Sequence, residues 1–252
     1  MDNEPIEFPH ELIEDLRAAH RIVALTGAGI SAESGIPTYA SSYKKGGWMQ
    51  YRPDDLATPE GFQRNPKLVW EWNEFRRAMV DQAKPNPAHL ALVEIERHAQ
   101  EFTLVTQNTD GFHQRAGSRR VIELYGNLHR YRCSAEGISI ASWEETSQIP
   151  PTCPRCGAYI RPDVVWFGEP VPPAALQTAL EASSSCDLFF SIGTSGLVEP
   201  AASMPYVALR HGAKVVEINT EFTTLAGYAT YYLAGQAGKL LPALVRAAWP
   251  DT

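Results

Sequence analysis

The chain has 252 residues, of which 44% are hydrophobic and 20% charged, and it carries a formal net charge of −7. This length accommodates one large core or a core with a small inserted module, and the composition is that of a soluble globular protein. The negative charge argues against a nucleic-acid surface and makes a basic protein or peptide segment the easier partner.

The first twenty residues are acidic and contain no apolar core of signal-peptide length, and no later stretch approaches a membrane span. The expectation is a cytoplasmic protein with no membrane contact. Ile22–Leu25 has the unbroken apolar character of a strand buried on both faces. Gly27, Ala28 and Gly29 follow at once, so the backbone can turn tightly and approach a ligand. A helix starting near Ser31 would direct free N–H groups at a pyrophosphate. The plainer reading is an ordinary β-to-α turn. The continuation Ser34-Gly35-Ile36-Pro37 misplaces the third glycine of the usual dinucleotide fingerprint, which argues against a standard dehydrogenase.

Residues 39–86 are rich in aromatic and charged residues and include an expected helix near Pro66–Gln82. A second helix is expected over His89–Gln100, where Leu90, Val93 and Ile95 supply the apolar positions. The next strand, Phe102–Val105, runs into Thr106-Gln107-Asn108-Thr109-Asp110-Gly111-Phe112-His113. Its amides, carboxylate and imidazole suit ribose hydroxyls or a carboxamide; the alternative is an Asx turn capping a helix. Residues 130–163 hold Cys133, Cys153 and Cys156, too few and too clustered for a secreted disulfide framework even with Cys186. A helix over Pro173–Ser183 precedes the strand Leu188–Ile192, which exits into Gly193-Thr194-Ser195-Gly196. The strand Val215–Ile218 exits at Asn219. Strands alternating with helices predict an α/β fold with a Rossmann-like doubly wound parallel sheet and ligands at the carboxyl ends of its strands. Residues 39–86 and 130–163 interrupt the alternation and are expected to form a small second module within a single catalytic domain.

The segments GAGISAESGIP, KPNPAHLAL, TQNTDGFH with the following RAG, VVWFGE, GTSGLVEPAA and VEIN resemble sirtuin motifs in family order, from about residue 20 to residue 245. The resemblance implies an NAD-binding Rossmann-type domain, a zinc-bearing module with a helical and a ribbon-like segment, and a cleft between them for an acylated lysine. It further implies NAD as co-substrate: nicotinamide leaves, and the acyl group ends on ADP-ribose. Carried over motif by motif, Gly27, Ala28, Gly29, Ser31, Glu33, Pro37 and Tyr39 belong to the cofactor loop. Gln107, Asn108 and Asp110 surround the nicotinamide ribose and carboxamide, with Asn108 and Asp110 also catalytic. Gly193, Thr194 and Ser195 line the adenosine side, with Asn219, Thr220, Glu221 and Ala237 near adenine and its ribose. Val164, Val165, Trp166, Phe167, Gly168 and Glu169 are the implied strand that pairs with the substrate peptide. Trp166 and Phe167 wall the lysine tunnel. Read from its residues alone, this segment is a core strand with large side chains.

The chain departs from the family at four places. Where sirtuins carry a histidine as general base, in Glu-Leu-His-Gly, this chain has Glu123-Leu124-Tyr125-Gly126, and a phenol is a poor base at neutral pH. The nearby His129 is a conceivable substitute. The Phe-Arg of the cofactor loop is Tyr39-Ala40, which keeps the aromatic shield and loses the cation, with Lys44 or Lys45 close by. The first Cys-x2-Cys pair of the zinc ribbon is Cys133 with Glu136, so the implied set is Cys133, Glu136, Cys153 and Cys156; without a metal the module must rely on its apolar contacts. The Tyr-x-x-Arg pair of sirtuins that remove acidic acyl groups falls on Asn73 and Arg76, leaving Arg76 either to meet a substrate carboxylate or to be solvated.

The reading that follows is an NAD-dependent protein-lysine deacylase, its activity altered by Tyr125 and Ala40. The alternatives are an NAD glycohydrolase or ADP-ribosyltransferase, or a low-turnover protein that binds NAD or ADP-ribose.

Overall fold

The computed structural model describes residues 6–38, 50–144 and 148–250. Its main sheet is built from β1 (Arg21–Thr26), β2 (Glu101–Thr106), β3 (Val121–Glu123), β7 (Leu188–Ile192), β8 (Lys214–Asn219) and β9 (Tyr231–Ala234). Between β3 and β7 lie β4 (Gly126–Cys133), β5 (Ser139–Ile140) and β6 (Ile160–Val164), which form a separate antiparallel sheet in the order β5-β4-β6.

The six-stranded sheet runs β3-β2-β1-β7-β8-β9 with every pair parallel. The period-2 alternation of side chains explains how a continuous apolar run fills both faces. On β1, Ile22 and Ala24 join one core with Leu12, Leu92 and Leu241, from the helices His10–Ala18, Pro87–His98 and Ala237–Ala248. Val23 and Leu25 face the opposite core, with Ala179 and Met204 from the helices Pro173–Ser185 and Met204–Arg210. The sheet is thus doubly wound. Strand order reverses between β1 and β7, so the crevice at their carboxyl ends is the expected ligand position.

The helix Pro66–Gln82 has the expected bounds, set by Pro66 at its start and by Asn65, whose side chain accepts the Leu68 N–H at 3.1 Å. The helix expected from His89 begins two residues earlier, at Pro87. Asn86 caps it by accepting from Ala88 N at 2.9 Å, and the Asn86 N–H donates to His89 Nδ1 at 3.2 Å. Two main-sheet strands had no sequence signal: β3 is three half-buried residues, and β9 is an edge strand with only intermediate burial over its tyrosines.

The helices Pro53–Leu56, Pro59–Arg64 and Pro66–Gln82 pack beside the small sheet through Leu56, Phe62 and Trp72 against Leu128, Val164 and Trp166. Trp70, Cys133, Ile140, Cys153 and Ile160 form a second small core. The two stretches that interrupt the sheet alternation therefore meet in space, although residues 39–49 and 145–147 lie outside the described residues. Among the described residues no helix is long and apolar enough to cross a membrane.

Candidate functional site

Two loops leave the sheet side by side at the point where strand order reverses. Gly27 N donates to the carbonyl of Ile192 at 3.0 Å, and Gly29 N to that of Gly193 at 2.8 Å. A Cβ on Gly29 would stand 2.7 Å from the Gly193 Cα, and one on Gly193, where φ is +59°, 2.6 Å from the Ile30 N. The glycines therefore serve first to let two backbones touch, a role the reading as ligand approach did not include. The helix after the loop also starts earlier than expected, at Ala28 and not near Ser31, and runs five residues to Ala32. Its Gly29 N–H is already taken by Gly193, which removes one of the donors expected to face a phosphate.

Ser31 sits inside that turn of helix, buried, and its hydroxyl donates to Asp110 Oδ2 at 2.8 Å. Asn108 Nδ2 donates to the Ser31 hydroxyl at 3.2 Å and to the Gly27 carbonyl at 3.0 Å. Asp110 Oδ1 accepts the Phe112 N–H at 2.9 Å. Burial raises the Asp110 carboxyl above its ordinary range, against the hydrogen bonds from Phe112 and Ser31 and the charges of Arg76 and Arg115. The exits of β1 and β2 are in this way tied into one polar cluster.

Beneath it lies a second layer. Thr26, the last residue of β1, donates its hydroxyl to Thr106, the last of β2, at 2.9 Å. His113 Nε2 lies 2.9 Å from the same Thr26 oxygen. Thr106 Oγ1 also accepts the Asn108 N–H at 3.0 Å, so the Thr26 hydroxyl joins the imidazole to the exit of β2. His113 stacks obliquely on His89, ring centroids 4.9 Å apart. Burial lowers His89 to about 4 and drives His113 well below the usual imidazole value, His89 adding to the latter. Both rings are neutral at physiological pH. The sequence reading missed Thr26 and took His89 only as part of a helix; a threonine ending each of two adjacent buried strands was the available signal.

On the β7 and β8 side, Gln107 Nε2 donates to Thr194 Oγ1 at 2.8 Å and Asn219 Nδ2 to the Thr194 carbonyl at 2.8 Å, so Thr194 is the hub of these exits. The Ser195 hydroxyl accepts from Leu197 N at 3.4 Å. Thr220 and Glu221 are exposed at the tip of β8. Glu33, on the cofactor loop, accepts the Gly238 N–H at 2.8 Å at the start of the last helix, beside the buried Ala237. Pro37 is half-buried, and Tyr39, Ala40, Lys44 and Lys45 lie outside the described residues.

Tyr125 stands just beyond the carboxyl end of β3. Its hydroxyl donates to the Glu199 carbonyl at 3.4 Å, and its own carbonyl accepts Val165 N at 3.0 Å. Burial, with the Glu199 charge adding and a hydrogen bond from Ala201 opposing, pushes the phenol up to about 12. His129, the conceivable substitute, bonds elsewhere. His129 turns to Asp81 on the helix Pro66–Gln82, Nε2 to Oδ1 at 2.8 Å.

The segment expected to be a strand over Val164–Glu169 is strand only to Val164, where β6 ends; Val165–Glu169 is a turn. Trp166 is buried under it, while Phe167 and Gly168 are exposed. Arg76 places its guanidinium 4.8 Å over the Trp72 ring and 3.4 Å from the Thr109 hydroxyl, close to Asp110. Asn73 is fully buried and donates to the Val69 carbonyl.

In the small module the ligand atoms of Cys133, Glu136, Cys153 and Cys156 all lie within 4.8 Å of one another, and Cys133 Sγ is 3.4 Å from Cys156 Sγ. Three thiols and a carboxylate at these separations fit a tetrahedral zinc ion. Arg155 Nε lies 3.5 Å from the Glu136 carboxylate.

The Sir2 family model matches residues 27–200, which spans both glycine loops, the Ser31, Asn108 and Asp110 cluster and the cysteines. The chain belongs to the Sir2 family. A protein of Methylococcus capsulatus named NAD-dependent protein deacylase is 48% identical over 250 residues, covering 96% of this Sir2 chain and 98% of that protein. NAD-dependent protein deacylase 1 of Caldanaerobacter subterraneus subsp. tengcongensis is 50% identical over 216 residues, covering 85% and 88%. Among solved structures, a Sir2 homologue in complex with NAD superposes with a TM-score of 0.89 at 41% identity, over 98% of this Sir2 chain and 96% of the other. A Sir2 complex with a p53 peptide and NAD+ gives 0.82 at 32% identity, over 94% and 97%.

Proposed function

We propose that this Sir2 chain is an NAD-dependent protein deacylase, which transfers the acyl group of an acylated lysine to ADP-ribose and releases nicotinamide. The observation that carries this reading is the polar cluster of Ser31, Asn108 and Asp110 where the exits of β1 and β2 meet. A buried Asp110 already holding two donors suits a cofactor whose ribose and carboxamide present further donors. NAD, when bound, supplies an electrophilic ribose carbon with nicotinamide as leaving group.

In this reading Ala28 and Gly29 lie along the diphosphate, on the loop that Gly27 and Gly193 let pack against the exit of β7. Gln107 and Asn108 orient the nicotinamide ribose, and Asp110 accepts from the carboxamide. Thr194 and Asn219, already bonded to each other, face the adenosine, with Ser195, Thr220 and Glu221 above them. The turn Val165–Glu169 receives the peptide, and Arg76 stands at the acyl end. Cys133, Glu136, Cys153 and Cys156 would hold a structural zinc. We place the whole chain in one catalytic domain, working in the cytoplasm without membrane or nucleic-acid partners.

One observation favours a second reading. The Tyr125 phenol, pushed up to about 12 and bonded to the Glu199 carbonyl, does not deprotonate a ribose hydroxyl near neutral pH. Cleavage of the nicotinamide bond needs no such base, so NAD glycohydrolysis, ADP-ribosyl transfer or slow turnover with retained ADP-ribose is the alternative. Mass spectrometry of reactions with NAD and a panel of acylated peptides separates the two. O-acyl-ADP-ribose is expected; nicotinamide and free ADP-ribose formed irrespective of peptide would replace the deacylase reading with the second.

A further inference from the structure

The turn Val165–Glu169 rests on one buried cation. Arg161, on β6 and 5% exposed, forks onto Glu169, Nη1 to Oε1 at 2.5 Å and Nη2 to Oε2 at 2.9 Å. The same Nη2 donates to the Val164 carbonyl at 2.8 Å, and the guanidinium carbon lies 3.3 Å from the centroid of the Trp166 ring. Glu169 in turn accepts the Trp166 N–H at 2.8 Å and a longer bond, 3.4 Å, from Arg132 Nη2.

Each contact constrains a different coordinate of the turn. The fork fixes the far end at Glu169, the carbonyl bond fixes the near end at Val164, and the stacked ring fixes the residue between them. A planar guanidinium performs all three at once, which an ammonium group cannot. Phe167, the residue held between these anchors, is 50% exposed. The Glu169 carboxylate is thus held by Arg161, Arg132 and the Trp166 N–H together.

We propose that Arg161 and Glu169 are positioning residues for the acyl-lysine peptide, their forked pair holding the turn so that Trp166 and Phe167 form a fixed wall for it. This rests on the deacylase reading above. It assigns Glu169 to the back of the wall and gives Arg161, which no motif comparison singled out, a part in substrate affinity.

Calorimetry on the full chain tests it with two probes: ADP-ribose alone, then acetyl-lysine and succinyl-lysine peptides added to the ADP-ribose-saturated protein. Binding is read instead of turnover, so Tyr125 does not limit the measurement. Arg161→Met and Glu169→Gln are expected to weaken peptide binding about tenfold, and Arg161→Lys nearly as much, with ADP-ribose affinity held within about twofold. Glu169→Gln keeps the shape and an acceptor for Trp166 N–H, so it decides the matter if Arg161→Met does not fold. Unchanged peptide affinity in the variants, or a parallel loss for ADP-ribose, overturns the proposal alone. A wild-type chain that binds ADP-ribose and neither peptide overturns the deacylase reading and the proposal together.

Discussion

The phenol of Tyr125 and the main-chain carbonyl of Glu199 are joined by a hydrogen bond of 3.4 Å, while the Tyr125 carbonyl holds Val165. One residue thereby touches both the loop after β7 and the turn after β6. The side chain placed where sirtuins carry a histidine base bonds here to a main-chain carbonyl.

Tyr125→His should restore the missing proton acceptor. The folded value of about 12 lies above the reference of about 10, so the phenol stays protonated throughout the range from pH 6 to pH 9. Wild-type O-acyl-ADP-ribose formation should accordingly show no inflection from this residue over that range. The histidine variant should form it roughly a hundredfold faster, with a new ionisation near pH 6.5. A pH series of product formation checks both, and an unchanged rate would mean that another step limits the reaction.

Asp110→Asn should separate stability from activity. A carboxyl whose folded value is raised binds its proton more tightly in the native state, so its contribution favours folding at low pH and is lost as pH rises through the folded value. The asparagine variant, free of that cost, is expected to melt no lower than wild type at pH 7.5 while NAD cleavage falls about a hundredfold. Paired thermal melts and nicotinamide release measure this; a large fall in melting temperature would contradict it.

The buried histidines predict acid lability. His89 lies depressed to about 4 by burial, so the unfolded chain takes up the proton first as pH falls below about 6.5. Its stabilising contribution, complete above that pH, should shrink by on the order of 3 kcal/mol on the way to pH 4. Denaturant unfolding at pH 7 and pH 5 should show the decline, and His89→Gln should flatten part of it.

The small module should hold one zinc ion per chain. Elemental analysis of the purified protein checks this, and Cys153→Ser is expected to lose the metal and lower the melting temperature. Glu136→Cys should retain zinc against a chelator for longer than wild type. A metal-free wild-type protein of unchanged melting temperature would leave the module to its apolar core around Trp70, Cys133 and Ile160.

The sheet's interior was legible because β1, β2, β7 and β8 are nearly continuous apolar runs, and β7 was read to the residue. β3 and β9 escaped because an edge strand with half-buried residues has neither an apolar run nor a clean alternation. In the site, the motifs brought Ser31, Asn108 and Asp110 forward but not the reason for their glycines, since the contact of Gly29 with Gly193, 164 residues away, leaves no local trace. Arg161 was passed over for a similar reason. Its partners, Trp166 and Glu169, are near in sequence, yet nothing in RPDVVWFGE tells which side chains turn inward.

The meeting of Gly29 with Gly193 also bears on how this chain can vary. Ordinary overpacking is relieved by trimming the neighbour, but here each neighbour is backbone and each side chain is already a single hydrogen. Damage at either position therefore has no suppressor at the other. A suppressor screen starting from Gly29→Ala would return true revertants or nothing at position 193, and any rescue would have to come from outside the two loops.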